Sequence, residues 1–300
     1  MKRIVIAGAT GFIGQALCRK LHSDYELIAL SRSKVGLENF ANVVRWDAKT
    51  IGEWAKMIEG AFAVINLSGE NIGAGRWTSK KKKEILHSRL DSSQALLEAV
   101  KQAKEKPKVA VIASAVGFYG SRDDEQLDED SAVGSGFLAD VCRQVESIAS
   151  QIEQMGVRCV VIRSGVVLGS SGGVLVKLMQ PFKFFMGGHI GSGRQWFSWI
   201  SLEDEIDAIR FLIEKENLSG AFNLTAPEPV KMRDFCKTLG RILKRPSWFN
   251  IPGFILKLIF GEMAVELLLA SQKVLPKRLL QAGFKFKYPD LEGALKNILG

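Results

Sequence analysis

The stretch IVIAGATGFIG, residues 4 to 14, constrains this chain more than any other. An apolar, β-branched run leads directly into Gly8, Gly11 and Gly14, and a helical pattern follows. That order predicts a strand, a tight loop and a helix. In such a unit the first glycine permits the turn out of the strand. The second lets the backbone approach a pyrophosphate, and the third lets the helix pack close to the sheet. The helix N-terminus then presents N–H groups and a partial positive charge to phosphate. An export signal is the competing reading, because Lys2 and Arg3 precede the apolar run and Cys18 follows QAL. Regularly spaced glycines interrupt that run and no A-x-A site follows, so the expectation is a folded loop in a cytoplasmic protein.

The first half of the chain repeats the pattern. RIVIAG, YELIALSRS, VVRWDA, AFAVINLSG, KVAVIASA and VRCVVIRSGVVLG read as strands. Helical patterns over GFIGQALCRKLHS, WAKMIEG, residues 79–104 and SGFLADVCRQVESIASQIEQ separate them. Apolar strands alternating with helices imply an α/β fold whose parallel sheet is covered on both faces. After Gly169 the chain becomes loop-rich and then helical, with GAFNLTAP as one more strand. NLTAPEPV is the natural seam before a C-terminal lobe, which divides the chain into residues 1–228 and 229–300.

A net charge of +9 raises the question of nucleic acid. Its densest patch, Lys80 to Lys83, opens a helical pattern and reads as a solvated face, with no nucleic-acid signature around it. A basic surface also favours anionic ligands that carry several phosphates. Cys18, Cys142, Cys159 and Cys236 form no C-x-x-C pair, and with three lone histidines they make no metal-ligand spacing. Reduced, mostly buried thiols and no metal are expected. The longest apolar candidate, IPGFILKLIFGEMAVELLLA, is broken by Lys257, Glu262 and Glu266 and reads as core-facing helix. Neither a membrane nor a nucleic acid is therefore expected as a partner.

The end of the second strand bears on the type of dinucleotide. A fold that binds NAD usually places Asp or Glu there to accept the ribose hydroxyls. This strand ends ALSRS, and Arg32 stands 24 residues after Gly8. An arginine suits a 2′-phosphate, which it holds by forked, charge-assisted contacts, and Ser31 adds a hydroxyl. The cofactor expected on this ground is NADP(H).

The pattern G-x-x-G-x-x-G, present as GATGFIG, resembles that of the extended and atypical short-chain dehydrogenase/reductase superfamily. VINLSGENI, GRWTSKKKKEILHSRL, ASAVGFYG, RSGVVLG, GSGRQWFSWI, NLTAPEPV and LPKRLLQAGFKFKYPDL resemble, in order, its sugar-nucleotide epimerase-like branch with a C-terminal domain of unknown function. The resemblance covers nearly the whole chain. It implies a Rossmann-type doubly wound parallel sheet that binds NADP(H), and a small, mostly helical C-terminal domain that completes the substrate pocket. It implies that Gly8, Thr10, Gly11, Phe12, Ile13 and Gly14 cradle the cofactor. Leu67, Ser68 and Gly69 would pass behind the adenosine half, with Asp47 near the adenine. Glu84 and Arg89 would border the adenine side, and Val166 would lie near the nicotinamide. The substrate is a small molecule that the sequence does not name, and a homodimer is compatible with the family.

The chemistry of the superfamily is incomplete here. Working members carry a Ser or Thr, a Tyr and a Lys, with the last two one helical turn apart as Y-x-x-x-K. Anchoring the helix on Glu146 puts Leu138 and Cys142 at those positions, and neither can do the work. Tyr119 and Ser114 are the remaining candidates for proton transfer, and a packing role suits Tyr119 better. On the substrate side, Arg194 is the candidate to hold a diphosphate. Trp196, Phe197 and Trp199 suggest either a flat apolar pocket or core. GSSGG, residues 169–173, matches G-x-S-x-G around Ser171, but only His189 follows and a hydrolase needs an acid and a histidine in order. Two readings stay open: an NADP(H)-dependent oxidoreductase of the epimerase/dehydratase type, and an NADP(H)-binding sensor or interaction protein without turnover.

Overall fold

A computed structural model of the chain describes residues 1–32 and 36–300. The end of the YELIALSRS run, Ser33, lies outside them. Seven strands form the main sheet: β1 (Arg3–Ala7), β2 (Glu26–Ser31), β3 (Asn42–Arg45), β4 (Ala63–Asn66), β5 (Val109–Ala115), β6 (Arg158–Ser164) and β7 (Gly220–Leu224). Their order is β3-β2-β1-β4-β5-β6-β7, and every pairing is parallel. This is the Rossmann-type doubly wound arrangement. The strand order reverses between β1 and β4, and ligands bind beyond the carboxyl ends of the strands at such a point.

Helices α1 (Phe12–Leu21), α2 (Ser79–Gln102), α3 (Phe137–Gln154), α4 (Gly173–Lys183) and α5 (Leu202–Glu214) belong to the first 228 residues. Strand period explains why the sheet strands are apolar throughout. Ile4 and Ile6 of β1 point into one core with Leu17, Leu21, Ile209 and Leu212. Val5 and Ala7 point into a second core with Leu96, Val100, Val145 and Ile152. The WAKMIEG segment forms a 3-10 turn over Glu53–Ile58 instead of an α-helix. The single strand expected over VRCVVIRSGVVLG is two. At Gly165 a Cβ would lie 2.8 Å from the Ser198 carbonyl oxygen, and the chain bends away there. Residues 166–168 then pair with 199–201, outside the main sheet.

The C-terminal lobe contains α6 (Met232–Leu243), α7 (Gly253–Phe260), α8 (Lys277–Gln281) and α9 (Leu291–Leu299). Its core joins Phe235, Leu239 and Leu295 to Leu168, Phe182, Phe197 and Trp199. Residues after β6 thus share a core with the residues that follow β7. Asp204 ties the end of the chain to α5 by accepting the Lys287 and Tyr288 amides at 2.7 and 3.1 Å. The segment expected to be core-facing helix is so only in its second part: Met263 packs with Trp77 and Ile85, and Phe260, Leu267 and Leu268 lie against them, whereas α7 itself buries Leu256 alone. All four cysteines are buried thiols.

Candidate functional site

Beyond β1 the chain enters the glycine loop. Gly8 has φ +79°, and a Cβ on it would lie 2.6 Å from the Leu67 carbonyl carbon, so the two loops at the switch point touch through backbone alone. A Cβ on Gly14 would overlap the Gly8 carbonyl oxygen. Gly11 is the N-cap of α1 and no side chain caps that helix. Its first-turn amides therefore face the cleft without an internal competitor for an anion.

The cleft has a volume of about 1160 Å³. Gly8, Thr10, Gly11, Ser31, Arg32, Asp47, Leu67, Ser68, Gly69 and Glu84 all line it. A smaller hollow of about 460 Å³ shares Arg32, Trp46 and Asp47 with it, so Arg32 stands between the two. Asp47 folds its own turn, with its carboxylate accepting from the Lys49 and Thr50 amides and the Thr50 hydroxyl. Those bonds hold its pKa at about 2.

One wall of the cleft was read in the sequence only at Glu84. Lys80, Lys83, His87, Ser88 and Asp91 line it from α2, together with Glu84. Their spacing of three and four residues puts them on one helical face, and that was the available signal. The lysine run is therefore not a uniform solvated face. Lys81 pairs with Glu70 and Lys82 with Glu262, which leaves Lys80 and Lys83 to the cleft. Among the described residues no carboxylate lies within salt-bridge distance of Arg32, Lys80 or Lys83. Cations without a direct ion pair in a cleft this large suit an extended anionic ligand with several charges.

Other sequence candidates lie outside that wall. The Phe12 ring covers the 169–173 loop, where a Cβ on Gly169 or Gly172 would meet it at 2.8 Å. Ser171 sits on this loop, exposed, and its motif serves glycine packing rather than a nucleophile elbow. Ile13 packs on the sheet core. Arg89 lies under Gly69, with its guanidinium donating to the Ile85 and Glu70 carbonyls at 3.1 Å each. Burial lowers its basicity. Val166 donates its amide to Ser198 at the start of the small sheet.

Two side chains of α3 meet the chain at the carboxyl end of β5. Leu138 abuts Gly117, and Cys142 donates weakly to the Ala115 carbonyl at 3.8 Å, so both face the strand end where a Tyr and a Lys would work. Tyr119, a candidate from its sequence position, is fully buried instead. Its hydroxyl donates to Asn223 Oδ1 at 2.7 Å and accepts from Arg163 Nη1 at 2.9 Å. Burial pushes its phenol up to about 12. It packs with Val116, Leu127 and Val274. Ser114 donates to Glu146 Oε1 at 2.7 Å, and Arg163 grips the same carboxylate through Nε and Nη2 at 3.0 and 2.8 Å. Of the other tyrosines, Tyr25 bonds Glu214 beside the start of β2, at the amino ends of the strands.

On the substrate side, Phe197 and Trp199 belong to the C-terminal core. Trp196 is half-buried and donates Nε1–H to Asp124 at 2.6 Å. Arg194 is exposed.

The glycine loop at the switch point of a parallel sheet defines a nucleotide-binding α/β protein, and residues 4–225 match the NAD dependent epimerase/dehydratase family. The chain belongs to that family, and residues 251–298 add a match to a domain of unknown function, DUF1731. The chain is similar to the human epimerase family protein SDR39U1, crystallised with NADPH, at 33% identity and a TM-score of 0.89, over 99% of this chain and 98% of that one. It is 39% identical over 302 residues to a chloroplastic SDR39U1 homologue of Arabidopsis thaliana, covering 99% of this chain and 86% of the relative. It is also 39% identical over 307 residues to the epimerase family protein YfhF of Bacillus subtilis, covering 99% and 97%.

Proposed function

We propose that this chain is an NADP(H)-binding, oxidoreductase-like protein of the cytoplasm that acts on a small molecule. The single observation that carries the reading is the cleft at the switch point, where the glycine loop meets Arg32, Lys80 and Lys83. The residues present fit the cofactor. The loop leaves no room for a Cβ at Gly8 or Gly14, α1 has no side-chain cap, and the strand end offers Arg32 and Ser31 without a carboxylate. Arg32 and Ser31 would hold the 2′-phosphate, and the α1 amides the pyrophosphate. Lys80 and Lys83 would raise the local concentration of the anion. Bound NADPH supplies a hydride. SDR39U1, similar over nearly its full length, was crystallised with this cofactor.

Residues 1–228 would carry the cofactor and residues 229–300 close the substrate side, with Arg194 and Trp196 on the approach. Ser114, at the end of β5 and bonded to Glu146, offers a hydroxyl there, so a proton would pass through Ser114 or a water beside it. One observation favours a second reading, a binding protein without turnover: Tyr119, which follows β5, is locked between Arg163 and Asn223. Incubating the protein with NADPH and a panel of carbonyl compounds separates the two, since a pure binder consumes no NADPH.

Cofactor choice is tested by calorimetric titration of wild type and Arg32→Ala. A hydrogen bond to a charged group is worth about 1.5–3 kcal/mol, so the variant should bind NADPH about 10- to 150-fold more weakly. NADH, which has no 2′-phosphate, should change little. Equal losses for both, or a wild type that prefers NADH, would refute the assignment.

A further inference from the structure

One face of the C-terminal lobe leaves large apolar side chains in solvent. Phe184 and Phe185, just after α4, are 73% and 53% exposed, and Trp248, Phe254 and Leu258 are 71%, 71% and 75% exposed. These side chains form one surface because their segments are stitched together. Trp248 Nε1 donates to the Phe185 carbonyl at 3.1 Å. The Trp248 and Phe249 amides both donate to the Gly187 carbonyl, and Ile251 and Gly191 continue the ladder. Helix α7 extends the face. It turns Leu256 inward, and Phe254 and Leu258, four residues apart, share its outer side.

The two segments that build this face carry charge of one sign, and Glu262, just beyond α7, is paired with Lys82. Residues 181–190 and 241–260 contain no Asp or Glu. Lys183, Lys244, Arg245 and Lys257 are exposed there. Among the described residues none of these four has a carboxylate within salt-bridge distance, while Arg241 is turned aside to Glu292 at 2.7 Å. The Arg245 guanidinium lies 4.4 Å over the Phe185 ring, so cation and aromatic present themselves together.

Two occupants compete for such a face. A second copy docking by two-fold symmetry would set this cationic surface against itself, which is repulsive. An anionic lipid surface meets both features. Phosphate headgroups neutralise the lysines and arginine, and Phe, Trp and Leu side chains enter the headgroup and acyl boundary. Among the described residues no helix is long and apolar enough to cross a membrane, so the contact lies in the plane of the surface.

We propose that this face docks on anionic lipid, with Phe184, Trp248, Phe254 and Leu258 as the inserting side chains. The proposal departs from the expectation that no membrane is a partner, and it stands apart from the cofactor reading. The test mixes the full chain with phosphatidylcholine vesicles, with and without phosphatidylglycerol, and measures flotation and tryptophan emission. Of the six tryptophans, Trp46, Trp54, Trp77 and Trp199 are buried and Trp196 is half-buried against Asp124, so Trp248 dominates any blue shift on binding, and Trp248→Phe should abolish it. Binding is expected to the phosphatidylglycerol vesicles alone, and salt should weaken it. A basic residue near an anionic surface is worth about 1 kcal/mol, a factor of about five. Lys183→Glu with Lys244→Glu should therefore cost about 25-fold or more. Phe254→Ser with Leu258→Ser should cost at least about tenfold, from lost apolar burial. All four positions are exposed, so thermal melting and NADPH affinity should stay at wild-type values and report an intact fold. Equal binding to neutral vesicles would overturn the proposal, as would no binding to either. Dimerisation lost in the same variants, without vesicle binding, would assign the face to a second copy.

Discussion

Glu205 offers the sharpest test of the energetics. It sits in the first turn of α5 with its side chain fully buried. Ser164 donates to Oε1 at 2.6 Å, while Oε2 has no partner among the described residues. Burial outweighs the Ser164 bond and raises its pKa from 4.5 to about 8. The sign of the pH dependence follows. Below about 4.5 the carboxyl is protonated whether the chain is folded or not, and it adds no pH-dependent term. Between about 4.5 and 8 the unfolded chain releases the proton and the folded one keeps it, so stability falls as pH rises. Each unit is worth about 1.36 kcal/mol, so the penalty is on the order of 3 kcal/mol by pH 7 and 5 kcal/mol by pH 8. Glu205→Gln cannot ionise and should lose this slope. Urea unfolding of both proteins from pH 4.5 to 8 is the assay. The variant should match or trail wild type at pH 4.5, because the buried amide still lacks a partner, and should overtake it as pH rises. Parallel stability curves would refute the reasoning, because they would mean that Glu205 ionises in the folded protein as easily as in the unfolded one.

Three further outcomes are expected. Tyr119→Phe should cost about 1–3 kcal/mol of stability by leaving Arg163 and Asn223 without their shared hydroxyl. It should leave NADPH affinity unchanged, and lost turnover in a still-folded variant would restore Tyr119 as a proton donor. Gly8→Ala should abolish NADPH binding measured by calorimetry, because its Cβ meets the Leu67 carbonyl carbon at 2.6 Å in a left-handed backbone; near-normal affinity would show that the loop moves freely. Lys80→Ala with Lys83→Ala removes two exposed charges worth about 0.5–1 kcal/mol each and should weaken NADPH about 5- to 30-fold at low salt. An unchanged affinity would remove α2 from the site.

The family and the cofactor cleft were legible in the chain because they rest on local backbone rules. A strand running into GATGFIG has few ways to turn, and Gly8 and Gly14 are needed wherever two backbones must touch. The positions of Leu138 and Cys142 on one face of α3 were legible for the same reason, since they sit at a fixed helical spacing before Glu146. The strands were visible from their β-branched runs, and the sheet buries both of their faces.

What only the tertiary structure decided concerns partners far apart in sequence. The lysine run splits by which carboxylate each residue meets: Lys81 finds Glu70, Lys82 finds Glu262, and Lys80 and Lys83 are left to the cleft. Periodicity put these lysines on faces, but it could not say what lay opposite. Tyr119 looks like a reactive phenol by its place in the chain, and becomes a structural one because Arg163 and Asn223 converge on it from two other strands. Helix α7 has the apolar content of a core helix. Whether such a helix is covered depends on the elements that pack around it, and here Leu256 alone found cover. An apolar pattern records that a side chain avoids water, and only the assembled fold determines which surface meets it.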